Sequence, residues 1–347
     1  MDFRDLFSKN PYALSQPEKE KLFSEALAEL TAFHKENCEG YARLCNVLGD
    51  GAALPVSLFK EYDLKSVPGS EIVKTITSSG TTGQRPSKIY LDAQTAKNQQ
   101  LALAHIMSDF IGEKRIPMVI LDSKSVFKDR NMFSARGAGI LGFSIFASKS
   151  FYALGENMQL DVSGLLEFLS EHEGEPIFLF GFTFIIFEHF LRVLEEKNIK
   201  LPLQNGVLVH GGGWKKMQAS AISEEEFNRR IHASCGISRI HGYYGMAEQT
   251  GSVFMECECG HLHASSFSDV VIRRPGDYSE ADFGEEGVIE VRSLLPHSYP
   301  GHILLTEDLG TVLGADNCPC GRKGKYFKVK GRVPKAEVRG CSDTYER

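Results

Sequence analysis

A glycine-rich, hydroxylated segment that ends in a lysine has the residue types of a phosphate-binding loop. It follows a run with strand character at residues 71–76 and comprises Thr77, Ser78, Ser79, Gly80, Thr81, Thr82 and Gly83, with Lys88 five residues further on. Backbone N–H groups and hydroxyls of such a loop can surround phosphate oxygens, and the Lys88 ammonium can add a positive charge. The spacing differs from the Walker loop, Gly-x-x-x-x-Gly-Lys-Ser/Thr, so it predicts nucleotide binding outside the P-loop NTPases. An ordinary surface loop is the alternative, because clusters of Gly and Ser commonly form one.

A second segment joins an aromatic ring, a glycine and a carboxylate at short spacing. It consists of Tyr244, Gly245, Met246, Ala247 and Glu248. The ring could lie against a flat base, and Glu248 offers the hard oxygen ligand that Mg²⁺ on a triphosphate takes. Taken alone, Glu248 is more typical of an exposed loop carboxylate.

Three further positions could complete a nucleotide site. Asp308 follows a strand-like run and could accept hydrogen bonds from ribose hydroxyls. Arg332 carries a fixed positive charge that could reach the same ribose or a phosphate. Three successive glycines after another strand-like run would let a planar ligand approach the backbone: Gly211, Gly212 and Gly213.

Four of the eight cysteines form a repeated Cys-x-Cys-Gly sequence. The first copy contains Cys257 and Cys259, and the second contains Cys318 and Cys320. Each copy places two thiolates beside a tight turn, and together they supply the four soft ligands of a structural tetrahedral Zn²⁺. His261 or His263 could replace one of the thiolates. The alternative is four unrelated cysteines near turns.

Composition and charge exclude several classes of protein. The chain of 347 residues has a formal net charge of -6, which gives no electrostatic reason to expect nucleic acid as a partner. The N-terminus lacks the basic and apolar regions of a signal peptide, and no apolar run approaches the ~20 residues of a membrane span. We therefore expect no transmembrane segment and a cytoplasmic location, where a disulfide framework is disfavoured.

The order of apolar runs predicts an α/β fold. Residues 17–48 have helical periodicity with a break at Gly40, and short apolar runs then alternate with amphipathic stretches. After Gly251, strand signals dominate at residues 270–272, 287–291, 302–305 and 326–329. Phenylalanines gather around Gly181, and we weigh an aromatic-lined substrate pocket there against plain core packing.

In their order along residues 70–341, these segments resemble the adenylate-forming superfamily of acyl-CoA synthetases, adenylation domains and firefly-type luciferases. Residues 79–83 with Lys88 resemble its phosphate loop, and residues 244–248 its Tyr-Gly-x-Thr-Glu motif, with Ala247 in place of Thr. Residues 306–308 are similar to its Thr-Gly-Asp, with Glu307 in place of Gly, and Arg332 lies in its Gly-Arg. The resemblance implies the large N-terminal domain of these enzymes, with α/β subdomains and a smaller β-rich subdomain.

The segment after Arg332 points to one branch of the superfamily. Members usually continue with a small C-terminal domain that carries a catalytic lysine, whereas only residues 333–347 follow here. The chain therefore resembles the acyl-protein synthetases of the luminescence-operon type (LuxE), in which a cysteine near the C-terminus receives the acyl group; Cys341 matches that position. We expect an acyl-activating domain over residues 1–331, with a helical segment at 1–70 and a zinc-stabilised β-rich part at 252–331. Residues 332–347 would form a mobile tail.

The resemblance implies an enzyme with a two-step reaction. A carboxylic acid, by analogy a fatty acid, attacks the α-phosphorus of Mg·ATP, and a thiol then displaces AMP from the acyl-adenylate. Cys341, Glu248 and Lys88 are the predicted catalytic residues, and Lys335 is the nearest candidate for the missing lysine. A fatty acyl reductase is the implied protein partner. The alternatives are an acyl- or aryl-CoA ligase of the phenylacetate–CoA ligase type, and a non-catalytic nucleotide- or acyl-binding subunit.

Overall fold

The computed structural model describes residues 3–77, 86–127, 135–213 and 222–333. The chain forms two compact units. Among the described residues, the first unit comprises those of 3–109 and 244–333, and the second those of 110–243. The sequence predicted subdomains, but no linker composition marked this division, because the chain leaves the first unit and later returns to it.

Strands and helices alternate as the apolar runs predicted. The strands are β1 (Leu54–Pro55), β2 (Ile72–Thr77), β3 (Lys88–Asp92), β4 (Ile116–Ser123), β5 (Ala147–Leu154), β6 (Phe178–Phe182), β7 (Val207–Gly211), β8 (Arg239–Tyr244), β9 (Phe254–Glu256), β10 (Leu262–His263), β11 (Ser268–Arg273), β12 (Gly287–Ser293), β13 (Ile303–Ala315) and β14 (Lys325–Arg332). The helices are α1 (Arg4–Phe7), α2 (Gln16–Asn37), α3 (Glu39–Leu48), α4 (Leu58–Glu61), α5 (Ala93–Ile111), α6 (Ala135–Ser144), α7 (Val162–Glu171), α8 (Thr183–Ile185), α9 (Arg192–Glu196) and α10 (Glu224–Cys235). A π-helical segment, Ile186–Leu191, joins α8 to α9.

An antiparallel sheet organises the first unit. Its strands lie in the order β11-β12-β13-β14-β10-β9, and β1 pairs in parallel with β13. The strand signals after Gly251 are confirmed: three fall within β11, β12 and β14, and the run at 302–305 begins one residue before β13. β2 and β3 form a separate antiparallel hairpin.

The N-terminal helix α2 begins at a capping box and packs against this sheet. The Ser15 N–H donates to Glu18 Oε2 at 2.9 Å, which satisfies one of the free donors at the helix start. The helix ends at Asn37 because Cys38 is extended, so the predicted break at Gly40 comes two residues late. Gly40 lies within α3, where an added Cβ would meet Leu64 at 3.0 Å.

A buried charge cluster fixes α2 to the sheet. Lys19 is 1% exposed, and its Nζ lies 3.7 Å from Asp269 on β11 and donates to the Ala264 carbonyl at 3.1 Å. Lys325, which begins β14, approaches the other carboxylate oxygen of Asp269 at 3.4 Å. Burial lowers the pKa of Lys19 to about 8, although the Asp269 carboxylate acts against this shift. Removing Asp269 would leave two buried ammonium groups without their carboxylate, which is the costly way to break such a cluster.

A parallel sheet forms the centre of the second unit. Its strands lie in the order β5-β4-β6-β7-β8. On one face, Phe143 of α6 stacks on Phe180 with ring centroids 4.3 Å apart, and both Phe178 and Phe180 are fully buried. For these two phenylalanines the structure supports core packing, the alternative to a pocket. Among the described helices, none combines the length and apolar character that crossing a membrane requires.

Two histidines with neighbouring, tilted rings lie in the core of the first unit. The rings of His34 and His302 are 4.8 Å apart, and His302 Nε2 is 3.0 Å from the Thr31 hydroxyl. Burial lowers the pKa of His302 to about 3, so the imidazole is neutral in the folded protein.

The buried His302 predicts a loss of stability in acid. Between the ordinary histidine pKa of 6.5 and about 3, the unfolded chain binds a proton that the folded chain does not. The free energy of unfolding should therefore fall by about 1.4 kcal/mol per pH unit below this ordinary pKa, from this residue alone. Urea unfolding between pH 7 and 5 should show a shallower decline for His302→Gln. If the free energy of unfolding fell equally with pH in both proteins, His302 would not be the cause of the acid sensitivity.

Candidate functional site

Three residues from separate sequence motifs come together in the first unit. The Tyr244 hydroxyl, at the end of β8, donates a hydrogen bond to Asp308 Oδ2 at 2.7 Å. Asp308 on β13 lies directly across from Arg332 on β14, and Arg332 Nε is 3.7 Å from Asp308 Oδ1. Burial and the neighbouring Asp308 carboxylate raise the pKa of Tyr244 well above its usual value, so its hydroxyl remains a donor. The arrangement presents a carboxylate held between a phenol and a guanidinium.

The backbone around Asp308 is fixed by its neighbours on β13. The Thr306 hydroxyl donates to the Ile289 carbonyl at 2.8 Å and accepts from the Asp308 N–H at 3.1 Å. The register between β13 and β14 shifts between Leu309 and Gly310. Such a bulge redirects side chains locally, and here it lies directly beside the carboxylate.

Glu248 is buried, in contrast to the expectation of an exposed loop carboxylate. Its side chain is 4% exposed, and its backbone carbonyl accepts a hydrogen bond from the Tyr299 hydroxyl at 2.9 Å. The next residue, Gln249, donates from Nε2 to the Gly301 carbonyl at 2.8 Å. The segment after β8 is therefore anchored to the connection between β12 and β13.

The hairpin β2–β3 brings the two ends of the predicted phosphate loop together. Thr77 and Lys88 are cross-strand partners at the last position of the hairpin. Between them, the predicted residues Ser78, Ser79, Gly80, Thr81, Thr82 and Gly83 lie outside the described part of the chain. A loop that leaves and re-enters a hairpin at paired positions has both ends fixed.

Lys88 has a partner that the sequence did not indicate. Its Nζ lies 3.4 Å from Asp63 Oδ1, and the Tyr90 hydroxyl donates to the same oxygen at 2.6 Å. The Tyr90 hydrogen bond, followed by the contact with Lys88, holds the pKa of Asp63 below its usual value. Asp63 belongs to no motif and lies 25 residues before Lys88, so only the folded chain reveals this pair.

The three successive glycines, Gly211, Gly212 and Gly213, lie where β7 ends. An added Cβ on Gly211 would come within 2.3 Å of the Tyr243 ring, and Gly212 has a φ of 77°. Both positions therefore exclude ordinary side chains. They are at the carboxyl end of a parallel strand, the edge at which open α/β sheets bind ligands.

The repeated Cys-x-Cys-Gly sequences form matching turns. In the first, the Gly260 N–H donates to the Cys257 carbonyl at 2.9 Å; in the second, the Gly321 N–H donates to the Cys318 carbonyl at 3.0 Å. Both glycines have positive φ, 70° and 85°. The repeat thus predicted a shared local geometry.

The two turns do not contribute equally to the cluster of sulfur and nitrogen atoms. Possible ligand atoms of Cys257, His263, Cys318 and Cys320 all lie within 4.8 Å of one another. Cys259, which the sequence included in the ligand set, is exposed and is not in this group. His263 takes its place, which is one of the two histidine replacements that the sequence left open.

The cluster is largely shielded from solvent. Burial raises the pKa of the Cys318 thiol to about 11 and also raises that of Cys257. Burial likewise acts to raise the pKa of Cys320, but hydrogen bonds from the Arg322 backbone, from Cys318 and from the Arg322 side chain outweigh it and hold this pKa below its usual value. Burial, followed by the Arg322 charge, lowers the pKa of His263 to about 4. The imidazole is therefore in the neutral form that binds metals.

The remaining predicted site residues are in the C-terminal segment. Cys341 and Lys335 both lie outside the described residues. Their roles stay predictions from the sequence.

Comparisons with known proteins agree with the family resemblance. The family model of the acyl-protein synthetase LuxE matches residues 2–347. Two curated relatives, each named long-chain-fatty-acid–luciferin-component ligase, are 21% identical to this chain. The alignment with the protein from Vibrio harveyi covers 97% of this chain and 90% of the relative, and that from Aliivibrio fischeri 97% and 91%.

Solved structures share the fold. An open conformation of 2-hydroxyisobutyryl-CoA ligase, in complex with 2-HIB-AMP and CoA, aligns with a TM-score of 0.73 at 18% identity, over 94% of this chain and 77% of that one. ATP-bound MatB from Rhodopseudomonas palustris aligns with a TM-score of 0.51 at 16% identity, over 77% and 49%. The predicted adenylate-forming fold is confirmed.

The hydrogen bond between Tyr244 and Asp308 predicts a measurable contribution to stability. Tyr244→Phe removes a donor to a carboxylate and should lower the free energy of unfolding by about 1–2 kcal/mol. The same substitution at the exposed Tyr278 is the matched control and should have little effect. Urea titration of both variants makes the comparison, and equal effects would argue against a structural role for this bond.

Proposed function

The chain belongs to the acyl-protein synthetase family LuxE, a family of acid–thiol ligases, and on this basis we propose that it activates a carboxylic acid with ATP and transfers the acyl group to a thiol. The observation that supports this most is the meeting of Tyr244, Asp308 and Arg332. These residues come from three separate motifs of the adenylate-forming pattern, and chance similarity would not bring them to one place.

The proposed reaction has two displacement steps. In the first, a carboxylate oxygen bonds to the α-phosphorus of ATP while the bond from that phosphorus to the pyrophosphate oxygen breaks. In the second, a thiolate sulfur bonds to the acyl carbon while the bond from that carbon to the AMP oxygen breaks. The thiol proton is released to solvent, and the products are pyrophosphate, AMP and an acyl thioester.

The residues around Asp308 bind the nucleoside in this proposal. The Asp308 carboxylate accepts hydrogen bonds from the ribose hydroxyls, because its position between Tyr244 and Arg332 orients both of its oxygens. Arg332, whose Nε is 3.7 Å from this carboxylate, adds positive charge near the phosphates. Binding oriented in this way lowers the barrier by holding the reacting groups at attack distance.

The hairpin β2–β3 and the segment after β8 act on the phosphates. The loop at residues 78–83 surrounds phosphate oxygens with N–H groups and hydroxyls, and Lys88 exchanges Asp63 for a phosphate when nucleotide binds. The buried Glu248 carboxylate is a hard oxygen donor of the kind that holds Mg²⁺. Mg²⁺ would neutralise charge on the leaving pyrophosphate. A structural Zn²⁺ is the other metal of the proposal and takes no part in bond making.

The proposed acid is a fatty acid and the proposed acceptor is Cys341. The substrate follows from the names of the two relatives, both of which are long-chain-fatty-acid ligases. A thioester on a thiol near the C-terminus would leave the acyl group available to a second enzyme. A reductase is the class that consumes such a thioester in the family analogy. Coenzyme A is the rival acceptor, since the 2-hydroxyisobutyryl-CoA ligase shares the fold.

Pyrophosphate exchange into ATP tests the activation step. A panel of fatty and aryl acids should support exchange, with the fatty acids the better substrates. Asp308→Ala should raise the KM for ATP about 10- to 100-fold, which corresponds to the loss of hydrogen bonds to a charged group. Asp282→Ala, which removes a carboxylate that is 92% exposed, is the matched control. No exchange with any acid would favour the non-catalytic alternative.

Labelling with radioactive acid and ATP tests the acceptor. Cys341→Ser should abolish hydroxylamine-labile label on the protein while pyrophosphate exchange persists, because the first step uses no thiol. Cys259→Ser removes an exposed thiol of the described part of the chain and should leave the label unchanged. Label that survives Cys341→Ser would place the acceptor elsewhere, and AMP release that depends on coenzyme A would indicate a CoA ligase.

A further inference from the structure

We propose that Cys257, His263, Cys318 and Cys320 bind one structural Zn²⁺ and that Cys259 is not a ligand. Four residues from two distant turns and one strand meet in this cluster, which is separate from the residues assigned to nucleotide binding. The proposal stands whether or not the acyl chemistry is correct, because it rests on the cluster alone.

The distances fit a tetrahedral metal. For Zn–S bonds of about 2.3 Å and Zn–N bonds of about 2.05 Å, tetrahedral geometry separates two sulfurs by about 3.8 Å and a sulfur from a nitrogen by about 3.6 Å. Cys257 Sγ and Cys318 Sγ are 3.9 Å apart, and Cys320 Sγ lies 3.4 Å from His263 Nε2. The side chains therefore need only small adjustments to take up the ion.

The strand β10 explains why a histidine completes the set. His263 is fully buried on β10, between β9 and β14, and its ring stacks on Tyr326 with centroids 5.7 Å apart. Cys259 lies at the exposed side of the first turn instead. Its backbone N–H lies 3.4 Å from Cys257 Sγ, so this residue supports a ligand through its main chain.

Groups around the cluster suit a site with three thiolates. His261 Nδ1 lies 3.3 Å from Cys318 Sγ, within hydrogen-bond distance, and would donate to that sulfur as a thiolate. Three thiolates and Zn²⁺ carry a net charge of about -1, and the Arg322 guanidinium, which also pairs with Asp109 and Glu258, lies beside Cys320. Four protein ligands leave no open position for a substrate, which is the pattern of structural zinc.

The metal would join two hairpins. Cys257 lies at the turn between β9 and β10, whereas Cys318 and Cys320 lie at the turn between β13 and β14. The ion would fix these turns to each other across a sequence separation of 61 residues. Its loss should loosen the end of the sheet at which β14 begins.

Metal analysis of matched variants tests the ligand set. The purified wild-type protein should contain about one equivalent of zinc. Cys259→Ser and His261→Ala should retain it, whereas Cys320→Ser and His263→Ala should lose most of it. The two cysteine variants compare a proposed ligand with a cysteine that is not a ligand, and the two histidine variants make the same comparison. Zinc below about half an equivalent in the wild type, or its loss in Cys259→Ser, would overturn the proposal.

Cobalt substitution tests the ligand set without the ligand variants, so misfolding of those variants does not affect its result. Co²⁺ loaded into the wild-type chain should give sulfur-to-metal charge-transfer bands and the d–d absorption of a tetrahedral site. Cys259→Ser should give the same spectrum, because the number of coordinating thiolates is unchanged. A weaker charge-transfer band in Cys259→Ser would show that this thiol is a ligand. Removing the metal with a chelator should also lower the melting temperature of the wild-type protein.

Discussion

The pairing of β13 with β14 is the constraint on which both sites of the first unit depend. One end of this hairpin sets Asp308 opposite Arg332, and the turn at its other end carries Cys318 and Cys320. Successive side chains on a strand point to opposite faces, so a register slip of one residue would turn Asp308 away from Tyr244. The glycines of β13 protect the register: an added Cβ on Gly310 would meet the Lys328 carbonyl at 2.6 Å.

Buried polar groups connect the N-terminal helices to this sheet. The carboxylate of Asp269 accepts two ammonium groups, one from α2 and one from β14, and the His302 imidazole reaches the Thr31 hydroxyl of the same helix. Because an unpaired charge in the interior costs several kcal/mol, these contacts permit few other positions for α2. The helix contributes no residue to the proposed chemistry, but it holds the strands that do.

Much of the fold followed from the sequence because its signals are local. The apolar runs after Gly251 predicted strands where the structure has them, since a strand needs only a short alternating or continuous apolar pattern. The end of α2 was less accessible: Gly40 resembled a helix break, but it lies in α3 and permits the close approach of Leu64. A glycine gives the same signal in both cases, and only packing distinguishes them. The division of the chain into two units was also invisible, because residues far apart in sequence return to the first unit.

For the sites, residue types and spacing were enough to indicate which chemical groups are available: a hydroxylated loop, a tyrosine and a carboxylate in motifs, and two turns rich in cysteine. Motif order was enough to indicate the family and its fold. The tertiary structure determined which side chains these groups contact. It paired Lys88 with Asp63, buried Glu248, and put His263 rather than Cys259 into the cluster of possible metal ligands. The physical reason is that residue type and spacing fix local turns, whereas ligand sets and ion pairs depend on which side chains a strand turns inward and which distant segment packs against them.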